Sequence, residues 1–170
     1  MLPFRVPDTW TMAPSPNASA RSVRVTAIVL HADAASRVEA SMVWIRRAES
    51  KVSYHVLVGR TGRVWCLVHP DRTAWHAGES SMNGERLVNR FSVGVCLSNR
   101  NDGVEPFPAA QQSAAADVCA ILCGHYGIPV ERITTHAAIA PGRKNDPLGF
   151  DVAAFRDMVS ARLSAAPRAA

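Results

Sequence analysis

The sequence predicts an α/β fold with a mixed central β-sheet flanked by helices. Three observations carry that prediction: short β-branched runs alternate with longer stretches of helical spacing, one strand pair closes as a hairpin, and no internal repeat interrupts the series. Strands joined through helices run parallel, whereas a hairpin is antiparallel, so both kinds of pairing are required in one sheet.

The elements follow in order. Residues 1–22, rich in proline, serine and alanine and without periodicity, read as a loosely held N-terminal tail or extension. "VRVTAIVLH" (23–31) is an apolar run suited to a buried strand, and "RVEASMVWIRRAES" places Val38, Met42 and Ile45 on one helical face. "SYHVLVGRTGRVWCLV" gives two strands about a Thr-Gly turn, and "SVGVCL" (92–97) gives another strand. A helix is expected from about Pro108 to Tyr126, its stripe formed by Val118, Ile121, Leu122 and Tyr126, with Gly127 as its stop. "ERITTH" is a short strand ending at His136. The last helix, "DVAAFRDMVSARL", is capped by Asp151 and turns Phe155, Met158 and Val159 inward. A catalytic domain over 23–163 and a C-terminal tail over 164–170 complete the expected organisation.

Composition narrows the class. A chain of 170 residues buries roughly 70% of its unfolded surface, enough for one core. At 48% hydrophobic and 19% charged residues it lies far from the signature of disorder. Its longest apolar runs fall short of the ~20 residues of a membrane helix, so membrane insertion is not expected. The N-terminus lacks a continuous apolar stretch, which leads us to expect a cytoplasmic protein unless another factor exports it. Cys66, Cys96, Cys119 and Cys123 show no CxxC spacing and read as buried thiols. A formal charge of +5 is spread without a basic block, which favours solubility over nucleic-acid binding.

Chemistry concentrates at strand ends. Of the 6 histidines, His31 and His136 both stand at the C-terminal ends of expected strands, the edge where open α/β sheets build ligand sites. Asp146 is a candidate partner, because Pro141-Gly142 turns the chain back toward His136 and Pro147 favours an extended residue before it. Two imidazoles and one carboxylate, with a fourth position left for water, match the recipe of catalytic rather than structural zinc. Spacing alone leaves His31 and Asp146 open between ligands and ordinary strand-end and loop residues.

The stretches "IVLHADA", "VSYHVLVGRTGRVW", "AWHAGES", "NRFSVGVCL" and "THAAIAPGRKNDPLGFD", in that order, resemble the zinc-dependent type 2 N-acetylmuramoyl-L-alanine amidases, relatives of peptidoglycan recognition proteins and phage amidase lysins. The likeness runs from about Val25 to Phe155. It implies zinc held by His31, His136 and Asp146, and hydrolysis of the amide between the lactyl group of N-acetylmuramic acid and L-alanine in peptidoglycan or muropeptides. Bound zinc lowers the pKa of water from about 16 toward 7. Lys144 matches the family lysine that holds the oxyanion, a role worth about 2–4 kcal/mol.

One departure stands out: Cys96 occupies the place of a glutamate found in cell-wall recycling members. Some phage amidases share the cysteine together with a tyrosine, here Tyr54, which with a pKa near 10 orients water or substrate rather than accepting a proton. Cys96 is expected to line the pocket. The resemblance also puts Trp75, His76 and Asn89 at the substrate groove, with Arg86 as a nearby cation for a stem-peptide carboxylate. His55, His69 and His125 read as residues of the opposite strand face, a loop and a helix end.

A monomeric phage or prophage endolysin is the leading expectation. Its alternatives are a cytoplasmic muropeptide-recycling amidase and a non-catalytic peptidoglycan-binding module. A hydrolase using Cys96 as nucleophile lacks the activating environment such a thiol needs.

Overall fold

The computed structural model describes residues 2–165 of the chain. In sequence order they form β1 (Thr11–Met12), β2 (Ala18–Ala20), β3 (Ala27–Ala32), α1 (Val38–Ile45), β4 (Val56–Val58), β5 (Val64–Cys66), β6 (Arg72–Ala74), β7 (Ser81–Met82), β8 (Glu85–Arg86), β9 (Ser92–Leu97), α2 (Ala109–Tyr126), β10 (Ile133–Thr135), α3 (His136–Ile139) and α4 (Val152–Ala165). The main sheet has the order β1-β5-β4-β9-β3-β10. Its centre is parallel, β4 with β9, β9 with β3 and β3 with β10, and the β4–β5 hairpin is antiparallel. The expected mixed sheet is therefore present, with helices on both sides.

Period-2 alternation sorts the strand residues between two cores. Ile28, Leu30, Val56, Val58, Val93, Val95 and Leu97 face α2 and α4, where they pack on Val118, Cys119, Leu122, Phe155 and Val159. Fully burying each large side chain there contributes roughly 1.5–3 kcal/mol. On the opposite face Ala27 and Val29 pack with Ala77, Val88, Phe91 and Ile139, while Leu57 and Cys96 meet Ile45 of α1. His31 and Cys96 are register partners on β3 and β9, so both belong to this second face.

The helix ends follow from local chemistry. Gly127 takes φ 67° and lets α2 stop, and the Asp151 carboxylate accepts from the backbone N–H groups of Ala153 and Ala154 at 3.0 Å each to start α4. Ile121, expected on the apolar stripe of α2, is instead 41% exposed. The seam runs through Cys119 and Cys123, small enough for α2 to approach the sheet and α4 closely. All four cysteines are free and buried, as expected.

The N-terminal segment is not the loose tail its composition suggests. Phe4 stacks on Tyr126 at 5.9 Å between ring centres, and its backbone N–H donates to Asp71, which also accepts from the Tyr126 hydroxyl. β1 pairs with β5, and β2 pairs with β6. The Asn17 amide nitrogen lies 2.8–3.1 Å from the carbonyls of Ile45, Arg47 and Val52, at and beyond the end of α1. Arg21 donates to the carbonyls of Arg72, Arg90 and Ser92. Low hydrophobic periodicity hid these contacts because most of them are polar. Of the expected C-terminal tail, Ser164 and Ala165 continue α4, and 166–170 lie outside the described residues. No helix among the described residues is long and apolar enough to cross a membrane.

His55, expected on an ordinary strand face, is a buried hub. Its Nδ1 accepts from the Gly94 N–H at 2.9 Å, and its Nε2 lies 3.0 Å from the Arg72 carbonyl. Burial, then the charge of Arg21, lowers its pKa from 6.5 to about 3. Unfolding lets it protonate near its ordinary value, so between these limits the unfolded state binds more protons and stability falls as pH falls. In chelator-treated protein the urea midpoint should drop between pH 7 and pH 5, with His55 contributing up to ~1.4 kcal/mol per pH unit below 6.5. A His55→Gln variant should show a shallower dependence; equal slopes would remove His55 from the account.

Candidate metal centre and active site

Three segments distant in sequence bring the site together. β3 carries His31 to its C-terminal end with no side-chain exposure, because β9 and β10 flank the strand and packed side chains cover both of its faces. His136 follows β10. The expected strand end is displaced by one residue: the Thr135 hydroxyl accepts from the Ala138 N–H at 3.2 Å and caps the short helix α3, which makes His136 its first residue. Asp146 arrives on the loop after α3, which folds back so that the Ala137 N–H donates to the Asp146 carbonyl at 2.9 Å.

The geometry is tight. His31 Nδ1 lies 3.1 Å from His136 Nδ1 and 3.3 Å from Asp146 Oδ2, and His136 Nδ1 lies 3.1 Å from Asp146 Oδ1. Ligand atoms of the three residues all fall within 4.8 Å of one another, and all three residues are buried. His136 Nε2 faces the Ala77 carbonyl at 3.3 Å, and a carbonyl only accepts, so the ring proton sits there and the Nδ1 lone pair points at Asp146. A lone pair and a carboxylate converging out of solvent suit a cation. Two nitrogens and one oxygen are a donor set of the catalytic-zinc type.

Electrostatics agree with that reading. Burial lowers the His31 pKa from 6.5 to about 4, which favours the neutral, ligating form. Burial opposes ionisation of Asp146, but the adjoining His136 and His31 rings outweigh it and hold the carboxyl below the ordinary carboxylate range.

Around the cluster the other expected residues divide. The Tyr54 ring centre is 5.1 Å from that of His31. Burial, and then Cys96, Asp146 and Asp33, raise its pKa well above 10, so its hydroxyl keeps its proton and can donate it. Lys144 is exposed; its backbone is fixed by a 3.0 Å bond to the Ala140 carbonyl, and its charge opposes protonation of His31, so the two lie within electrostatic reach.

The four expected substrate contacts fare differently. Cys96 is wholly buried, and burial followed by the charges of Asp33 and Asp146 pushes its thiol pKa well above 9, so it neither lines an open groove nor attacks as a thiolate. His76 is likewise buried, with Nδ1 3.0 Å from His31 Nε2 and Nε2 3.2 Å from the Ser92 hydroxyl; its nitrogens are engaged within the protein rather than with substrate. Asn89 spends its side-chain oxygen on the backbone N–H groups of His76 and Ala77, at 3.0 and 2.7 Å, and so shapes the segment behind His136. Trp75 is half-buried, its indole N–H turned to Ser19 of β2. Arg86 is exposed and 3.7 Å from Glu79.

Arg143 and Gly94 are among the residues that were missed. Arg143 donates to the carbonyls of Ala77 and Glu79 and clamps the Lys144 loop to the segment that holds His136. Gly94 makes room for His76: a Cβ there would lie 2.5 Å from the ring. The glycine between Val93 and Val95 was the available signal, since glycine inside a strand marks a close approach. Gly94→Ala should destabilise the metal-free protein by about 1–3 kcal/mol through overpacking, read from urea unfolding. An unchanged midpoint would show that the ring moves aside freely.

A family model described as N-acetylmuramoyl-L-alanine amidase matches residues 21–149. The chain belongs to this family. The 1,6-anhydro-N-acetylmuramyl-L-alanine amidase AmpD of Citrobacter freundii is 38% identical to this amidase family member over 114 residues, 66% of the chain and 60% of that relative's length. The matched stretch thus spans less than two thirds of the curated relative. The solved complex of the Escherichia coli N-acetylmuramyl-L-alanine amidase AmiD with anhydro-N-acetylmuramic acid-L-Ala-D-gamma-Glu-L-Lys superposes with a TM-score of 0.72 at 30% identity, covering 82% of this chain and 60% of that one. A mutant structure of PlyL gives a TM-score of 0.73 at 20% identity over 89% of this chain and 98% of that one, a likeness of fold.

Proposed function

We propose that this amidase family member hydrolyses the amide between the lactyl group of N-acetylmuramic acid and L-alanine, with zinc held by His31, His136 and Asp146. The observation that carries the proposal is the convergence of these three buried donors within 4.8 Å at one end of the sheet. Retention of the whole donor set argues against a non-catalytic binding module. When bound, zinc supplies Lewis acidity toward water and the scissile carbonyl. The chain's own residues do the rest. Lys144 sets a cation beside the carbonyl oxygen as negative charge grows there, and Tyr54 offers a hydroxyl that burial keeps protonated.

The substrate we favour is a small muropeptide, in place of the intact wall expected of an endolysin. Support comes from the 38% identity to an enzyme named for anhydro-muramyl peptides and from the AmiD complex with such a molecule, whose superposed chain is 30% identical where that of PlyL is 20%. Cys96 had pointed toward the lysins, but its thiol is fully buried, so it is a weak marker of which substrate binds. Cytoplasmic residence belongs to the same reading.

The test is digestion of purified peptidoglycan and of anhydro-muropeptide, with chelator, without it, and after zinc is restored, followed by mass analysis of the new ends. Free lactyl carboxylates and new L-alanine amines should appear only with metal, and the muropeptide should be cut at least about tenfold faster. New reducing sugar ends, binding without cleavage, or activity indifferent to chelator would overturn the proposal. Faster cleavage of intact wall would reinstate the endolysin.

A further inference from the structure

The second imidazole of the triad reaches its working tautomer by a route that differs from the first. Where His136 donates to a backbone carbonyl, His31 meets another histidine, and a neutral imidazole can be a donor or an acceptor at either nitrogen. Direction must therefore be imposed from further away, and hydrogen-bond bookkeeping locates where.

The Val88 carbonyl lies 2.6 Å from the Ser92 hydroxyl and can only accept, so the single hydroxyl proton of Ser92 points there. The same hydroxyl oxygen then accepts from His76 Nε2 at 3.2 Å, which places the His76 proton on Nε2 and leaves Nδ1 bare. That bare Nδ1 accepts from His31 Nε2 at 3.0 Å, so the His31 proton sits on Nε2 and its Nδ1 lone pair faces His136 and Asp146. Each link allows one direction only once the carbonyl is given. Burial keeps water from substituting for any of them: Ser92, His76 and His31 expose 0%, 4% and 0% of their surfaces. Gly94, between Ser92 and Cys96 on the same face of β9, leaves the slot in which the His76 ring lies.

We propose that the line Val88 carbonyl, Ser92, His76 is a tautomer lock: Ser92 and His76 are positioning residues that hold the His31 Nδ1 lone pair ready for the metal. The inference deepens the zinc reading above and rests on it for its purpose, but the lock itself is a property of the metal-free protein. Metal-ligating histidines depend on the partner of their second nitrogen, and losing such a partner typically lowers metal affinity 10–100-fold. Here the partner is another imidazole that could itself turn around, and the serine prevents it.

The test reads the proton directly. Long-range ¹H–¹⁵N correlation spectra of the chelator-treated wild type should show His31 and His76 both protonated on Nε2. In Ser92→Ala, His31 should gain a population protonated on Nδ1, and zinc affinity, measured against a chromogenic chelator, should fall by roughly 10–100-fold. Val93→Ala, on the opposite face of β9, controls for general loosening and should leave both readouts in place. A wild type with His31 protonated on Nδ1 overturns the proposal even if Ser92→Ala does not fold. So does a folded Ser92→Ala whose tautomer and zinc affinity match the wild type. Failure to cleave any muropeptide would sink the functional proposal while leaving these two measurements to decide the lock.

Discussion

Replacing Asp146 with alanine is expected to abolish tight zinc binding and, with it, amide hydrolysis. The carboxylate supplies the only anionic donor of the triad and lies 3.1–3.3 Å from both ring nitrogens. Without it the two Nδ1 atoms are left facing one another at 3.1 Å with nothing to draw a cation deeper. Outer partners of metal ligands are worth 10–100-fold in affinity, so loss of a direct ligand should exceed that, roughly 10³-fold or more. Competition against a chromogenic chelator measures the affinity, and release of muropeptide amines measures the reaction. A variant that still takes up one equivalent of zinc at micromolar metal, with wild-type turnover, would remove Asp146 from the ligand set.

Lys144→Met should separate catalysis from metal binding. The ammonium is exposed and lies within electrostatic reach of His31, where a cation opposes any positive charge in the site. Removing it should therefore leave zinc affinity unchanged or slightly tighter. If its work is to meet the oxyanion, kcat should fall about 10²–10³-fold, equivalent to about 2.7–4 kcal/mol, with KM little altered. A kcat within threefold of wild type would reduce Lys144 to a loop residue. Lost activity accompanied by lost zinc would point instead to the Arg143 clamp next to it having come undone.

Much of the scaffold was legible because it follows from periodicity. β9 begins and ends where its apolar run does, and the stop of α2 at Gly127 and the cap of α4 at Asp151 are read from single residue types. The candidate metal cluster was legible for another reason: strand ends are where sheets place ligands, and the motifs around His31, His136 and Asp146 resemble a family that uses them. Less accessible was whatever depends on a partner far along the chain. Arg21 and Asn17 look like tail residues until the carbonyls they serve are seen. His76 and Cys96 look like groove residues until their burial is known.

By itself the sequence determined the apolar strands β3, β4, β5 and β9 and the helices α1, α2 and α4, and which side chains have the chemistry to hold an ion, since these depend on residue type and local spacing. Only the tertiary structure decided what each imidazole does. A histidine offers the same two nitrogens wherever it stands, and the neighbour that takes its one proton is chosen by strand register and burial. His31 thus joins the candidate metal cluster, His55 becomes a buried hub, and His76 stands between His31 and Ser92.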